Sequence, residues 1–100
     1  MEFDKPNQTG FTIYSKSGCQ NCVKVKHLLT DKKLGFTIVN CDEYILEDKD
    51  NFLLFIKDLA QREVKQFPMI FYDSVFIGGY NEAIDKAEKL CLQFEEELNF

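Results

Sequence analysis

One hundred residues, 45% hydrophobic and 29% charged, supply one core and therefore one domain over residues 1–100, and a formal net charge of −5 disfavours nucleic acid or an anionic membrane as a general partner. No apolar run approaches the roughly 18 residues that span a bilayer, and no signal-peptide pattern opens the chain, so a soluble, cytoplasmic protein is expected. Four cysteines in a short chain would suit a secreted disulfide framework, but such frameworks accompany weak cores, and this chain has ample apolar material.

Residues 1–8 lack a period and contain Pro6, which reads as a surface arm. Thr9 to Tyr14 sets Phe11 and Ile13 among polar or amphipathic neighbours, a strand pattern. Ser15 to Gly18 is turn chemistry. From Gln20, the positions Cys22, Val23, Val25, Leu28 and Leu29 predict a helix with one apolar face, stopping near Gly35. Phe36 to Cys41 reads as a second strand, and strand, helix and strand within about thirty residues make a parallel βαβ unit. Asp42-Glu43-Tyr44 reads as a solvated acidic loop. Between Asp48 and Glu63, Phe52, Leu53, Phe55, Ile56, Leu59 and Ala60 recur at helical spacing, a core-facing stripe. Phe67 to Tyr72 and Val75 to Ile77, joined by Asp73-Ser74, predict a hairpin. Gly78-Gly79 breaks the strand. Asn81 to Leu98 then gives a third helix, with Ile84, Ala87, Leu90, Cys91, Phe94 and Leu98 on one side and fraying expected around Glu95-Glu96-Glu97.

The chemistry concentrates in Cys19-Gln20-Asn21-Cys22. A zinc site would need a second ligand cluster, and His27, Cys41 and Cys91 form none; haem attachment would need His where Val23 stands. Context favours a redox dithiol, because a strand-to-helix turn puts the first thiol at a helix N-terminus, where unpaired N–H groups stabilise a thiolate. Cys22, one turn on, could then resolve a mixed disulfide on Cys19. Cys41 and Cys91 read as small core residues, His27 as a surface or packing residue.

With these motifs in order, the chain resembles the glutaredoxin family of the thioredoxin-like fold. The resemblance rests on Tyr14-Ser15-Lys16-Ser17-Gly18-Cys19-Gln20-Asn21-Cys22, on Phe67-Pro68 ahead of a strand, and on Ile77-Gly78-Gly79-Tyr80-Asn81-Glu82. It implies an α/β fold with a four-stranded mixed sheet and three helices in the order β-α-β-α-β-β-α. It implies a glutathione-dependent thiol–disulfide oxidoreductase acting on protein disulfides or glutathione mixed disulfides, monomeric and needing no metal. Cys19 is then the nucleophile and Cys22 the resolving thiol. Lys16 meets the glycine carboxylate of glutathione, Phe67 offers its backbone ahead of a cis-Pro68, Gly79 permits close approach, and the N–H groups of Tyr80 and Asn81 receive the γ-glutamyl carboxylate.

The chain departs from the commonest family pattern at three places. Gln20-Asn21 replaces Pro-Tyr, Gln66-Phe67 replaces Thr-Val, and Asn81 replaces aspartate. Two other functions therefore stand beside the leading one: a dithiol reductant driven by thioredoxin reductase, and an iron–sulfur cluster held by Cys19 with glutathione.

Overall fold

A run of β-branched and aromatic residues at Phe11–Ser15 forms β1, and every residue of it is buried, as only a central strand covered on both faces can be. In the computed structural model, which describes the backbone of residues 1–98 and the side chains through Gln93, the order is β1 (Phe11–Ser15), α1 (Gln20–Asp31), β2 (Phe36–Asn40), α2 (Asp42–Ala60), β3 (Met69–Tyr72), β4 (Val75–Gly78) and α3 (Tyr80–Leu98). The expected order and the four-stranded mixed sheet are both present. The strands lie β2-β1-β3-β4; β1 and β2 run parallel from Phe11 opposite Phe36 to Ser15 opposite Asn40, and the β1–β3 and β3–β4 pairs are antiparallel.

Alternation along β1 sends Phe11 and Ile13 to one face and Tyr14 to the other. The first face packs with Val25 and Leu29 of α1, Ile70 of β3, and Ala83 and Ala87 of α3. The second packs with Val39, Cys41, Phe52 and Ile56, so α2 is the helix that covers it. The helical stripe of α2 is core as expected, although Leu54 stays exposed. On α3 the buried residues are Ala83 and Ala87; Phe94, Leu98 and the Glu95–Glu97 run lie outside the described side chains. Among the described residues no helix is long and apolar enough to cross a membrane.

Three local expectations change. Helix α1 stops at Asp31, four residues before Gly35, because Lys33 adopts the left-handed conformation at φ 59°. The Leu34 N–H donates to Leu29 O at 2.9 Å and the Lys33 N–H to Thr30 O at 3.0 Å, while Leu34 packs on the core, a complete Schellman ending without glycine. Asp42-Glu43-Tyr44 is no loop but the first turn of α2, where two acids suit the positive helix end and the Asn40 side chain accepts from the Asp42 N–H at 2.9 Å. Asp48, at φ −154° and ψ 51°, interrupts that helix, which is why the apolar period is unreadable before it.

The arm carries an anchor as well. Phe3 packs its ring 5.0 Å from Tyr44, 5.6 Å from Phe52 and 5.3 Å from Phe55, and Asp4 O accepts from the buried Tyr14 hydroxyl at 2.6 Å. The hairpin turn takes positive φ at both Asp73 and Ser74, matching the twist of the flanking strands without glycine. Gly10 secures it: its N–H donates to Asp73 Oδ1 at 2.7 Å, and its carbonyl accepts from the Asp73 N–H at 3.0 Å.

Candidate active site

The chain leaves β1 at Ser15, turns through Gly18 at φ 73°, and enters α1 with Cys19 as the N-cap. An N-cap side chain normally offers an oxygen to the first-turn N–H groups. Here a sulfur takes that place: the Cys22 N–H donates to Cys19 Sγ at 3.1 Å. Cys19 and Cys22 are joined as a disulfide, with Cα atoms 5.2 Å apart. Cys22 is buried and Cys19 half-exposed, so an incoming thiolate reaches Cys19 first. No acidic residue occupies the first turn of α1, so no carboxylate of this helix opposes its positive end at this sulfur.

The loop ahead of Cys19 is held from outside. Asp42, read from the sequence as a solvated loop residue, accepts from the Ser17 N–H through Oδ1 at 2.8 Å and from the Ser17 hydroxyl through Oδ2. These hydrogen bonds, with Lys16 adding its charge, hold the Asp42 carboxyl below the usual carboxylate range. Cys41, immediately before it, donates its N–H to Ser15 O at 2.8 Å, extending the β1–β2 pairing to the edge of the loop.

A groove of about 460 Å³ brings together Phe67, Pro68, Gly79, Tyr80 and Asn81 and reaches the cysteine pair at Asn21, which stands between the two cysteines and lines its wall while neither sulfur-bearing residue does. The Phe67–Pro68 peptide bond is cis. Phe67 precedes the last β1–β3 pair, Tyr14 with Met69, so its backbone lies beyond the ladder. Its ring stacks on Phe52, with centroids 6.3 Å apart. Lys16 does not line the groove; its ammonium lies 5.5 Å from the centre of the Phe67 ring, at the margin of the site. Gly79 caps α3, leaving the first-turn N–H groups of Tyr80 and Asn81 without carbonyls of their own helix to bond.

Several groove residues had no role assigned from the sequence. Arg62, Lys65 and Gln66 come from the loop between α2 and β3, and their only signal is two basic residues shortly before Pro68. Glu82 reaches back so that the Gly79 N–H donates to its Oε1 at 2.8 Å, half of a capping box. Gly78 sits at φ 127°, a conformation that L side chains rarely adopt, and a Cβ there would also push against the Glu82 side chain.

The remaining thiols stand apart. Cys41 is buried on the α2 face of the sheet, and burial pushes its thiol up to about 12. Cys91 lies half-buried on α3, which covers the opposite face, and both cysteines are free. His27 is exposed on α1.

Comparison with known proteins agrees with this geometry. A family model described as Glutaredoxin matches residues 11–77, from the start of β1 into β4. Glutaredoxin 1 of Rickettsia felis is 30% identical over 73 residues, 73% of this chain and 67% of that protein. Among solved structures, glutaredoxin 1 from Francisella tularensis, crystallised with cacodylate, superposes with a TM-score of 0.69 at 26% identity over 80% of this chain and 93% of its own. A buckwheat glutaredoxin–glutathione complex gives a TM-score of 0.67 over 86% of this chain and 74% of its own; at 21% identity, it speaks for the fold.

Proposed function

This chain belongs to the glutaredoxin family and is a thiol–disulfide oxidoreductase, and we propose that its reductant is glutathione and its substrates are protein disulfides and glutathione mixed disulfides. The observation that carries the proposal is the position of the Cys19–Cys22 disulfide: at the N-terminus of α1, beside a groove with open backbone on one wall and a helix N-terminus on the other.

In the reduced protein the Cys19 thiolate attacks the substrate disulfide, forming a mixed disulfide and expelling one substrate thiolate. Two routes then complete the cycle. The Cys22 thiolate attacks Cys19 Sγ, releasing the second substrate thiolate and regenerating the intramolecular disulfide, or a glutathione thiolate attacks from solution. Two glutathiones return the disulfide to the dithiol, becoming one glutathione disulfide. For glutathione itself, the N–H groups of Tyr80 and Asn81 suit the γ-glutamyl carboxylate, as helix N-termini suit anions. The Phe67 backbone suits the cysteinyl amide, as an added strand would. Lys16 at the margin of the groove, with Arg62 and Lys65 on its wall, suits the glycine carboxylate. The cytoplasm, where glutathione is kept reduced, is the compartment this chemistry calls for, and a monomer is its working unit.

The test is glutathione-coupled reduction of a small disulfide by wild type, Cys19→Ser and Cys22→Ser. Wild-type turnover that Cys19→Ser abolishes is the expected result. Turnover that survives Cys19→Ser removes the assignment of the nucleophile. Turnover driven by thioredoxin reductase but not by glutathione removes the reductant.

A further inference from the structure

Asp42 joins two parts of the molecule that the sequence holds 25 residues apart. Its own N–H donates to Asn40 Oδ1 at 2.9 Å, fixing it as the first residue of α2. Its carboxylate then accepts two hydrogen bonds from a single residue of the nucleophile loop, the backbone N–H and the hydroxyl of Ser17. Between Ser17 and Cys19 stands only Gly18, at φ 73°, which by itself would leave the direction of Cys19 loosely defined. Bonds from two groups on one residue fix orientation as well as distance, and charge-assisted bonds are the stronger kind.

We propose that Asp42 is a positioning residue for Cys19: by clamping Ser17 it holds the Cys19 sulfur over the first turn of α1, where the Cys22 N–H points at it. The proposal rests on the assignment of Cys19 as nucleophile. The charged and titratable groups around the clamp include Lys16 from the same loop, the Cys41 thiol one residue before Asp42 and Glu43 one residue after it, and none of them takes part in its hydrogen bonds.

Two roles of Asp42 act on Cys19 with opposite sign. As a tether it keeps the sulfur among N–H groups and favours the thiolate; as a bare negative charge it disfavours a second anion nearby. Replacement therefore separates them. Ser17→Ala removes half of the clamp and no charge. Asp42→Asn removes the charge and keeps an acceptor for the Ser17 N–H, whereas Asp42→Ala removes both.

The measurement is the pH dependence of iodoacetamide alkylation of the reduced full chain, with the modified cysteine identified by mass spectrometry and the folded state of each variant checked by thermal melting. Ser17→Ala should shift the Cys19 profile to higher pH, on the order of half a unit or about threefold in thiolate fraction at a pH below both midpoints. Asp42→Ala should lie alkaline of Asp42→Asn. A Ser17→Ala profile that overlays wild type, or an Asp42→Ala profile at or below that of Asp42→Asn, overturns the proposal. If Asp42→Ala does not fold, Ser17→Ala decides alone. If Cys22 rather than Cys19 is alkylated first in the wild type, the assignment of the nucleophile fails before any variant is compared, and the proposal falls with it.

Discussion

Cys19 and Cys41 hold the same position in two helices, the N-cap of α1 and the N-cap of α2, and only one of them sits where thiol chemistry can proceed. At Cys19 the backbone is extended, with ψ 107°, and the sulfur turns onto the first helical turn to accept the Cys22 N–H. At Cys41 ψ is 6°, no side-chain cap bond forms, and the thiol donates to Val39 O at 3.5 Å. The surroundings differ too. Cys19 is half-exposed above a first turn free of acids; Cys41 is 0% exposed beneath Phe52 and Tyr14, with Asp42 and Glu43 in the turn that follows. A helix N-terminus alone therefore does not activate a thiol. Activation also needs a backbone that turns the sulfur onto the N–H groups, a path to solvent, and a first helical turn without acids of its own.

The largest effect that sharpens this contrast is on turnover. Cys19→Ser should lower disulfide reduction on the order of a thousandfold or more, whereas Cys41→Ala, which changes a buried side chain that does not line the groove, should leave kcat/KM within about twofold. Equal losses in the two variants would erase the distinction.

The contrast can also be broken from the core side. Phe52 is fully buried in the same core cluster as Cys41 and stacks on Phe67, so Phe52→Ala should cost about 3–5 kcal/mol of stability, measured by urea unfolding. The milder Phe52→Leu should keep the fold and let Cys41 be alkylated in the native protein. Continued protection of Cys41 in Phe52→Leu would mean that something other than this ring shields it.

The smallest predicted effect is acid sensitivity at the clamp. The Asp42 carboxyl titrates below its ordinary range in the folded chain, so the stabilisation it gives is full above the unfolded carboxylate value and is lost as pH falls through the folded value. Unfolding midpoints in urea should thus fall as pH drops below the unfolded carboxylate value of about 3.9, and Ser17→Ala should flatten part of that slope. An unchanged slope would show that the clamp does not contribute in solution.

Much of the fold was legible because its elements carry their own signals. The βαβ unit shows in Phe11 to Cys41, and the Asp73-Ser74 hairpin survives without glycine because Gly10 bonds the turn from a distance. Glycine at Gly35 misled the end of α1: the left-handed residue is Lys33, and the marker that mattered was Leu34, an apolar residue placed to pack back on the helix. The start of α2 was hidden because Asp48 breaks the 3.6-residue period, separating Tyr44 and Ile45 from the stripe they join in the core.

At the site, the two cysteines, Phe67-Pro68 and Gly79-Tyr80-Asn81 were legible because each motif lies at the end of an element. Asp42 and Glu82 were not. A carboxylate that binds a distant or local N–H looks like any solvated acid until the chain is folded, and Ser17 carries no sign of its partner. Phe3 was illegible for the same reason, since an aromatic in an aperiodic arm does not name the cluster it enters.

The most direct test of the central claim is site-resolved alkylation of the reduced wild-type protein across pH. Cys19 should react first, with a midpoint below the ordinary cysteine value of about 8.5, while Cys41 stays unmodified until the protein unfolds. A Cys19 midpoint at or above that value, or modification of Cys41 alongside it in the native state, would contradict the account.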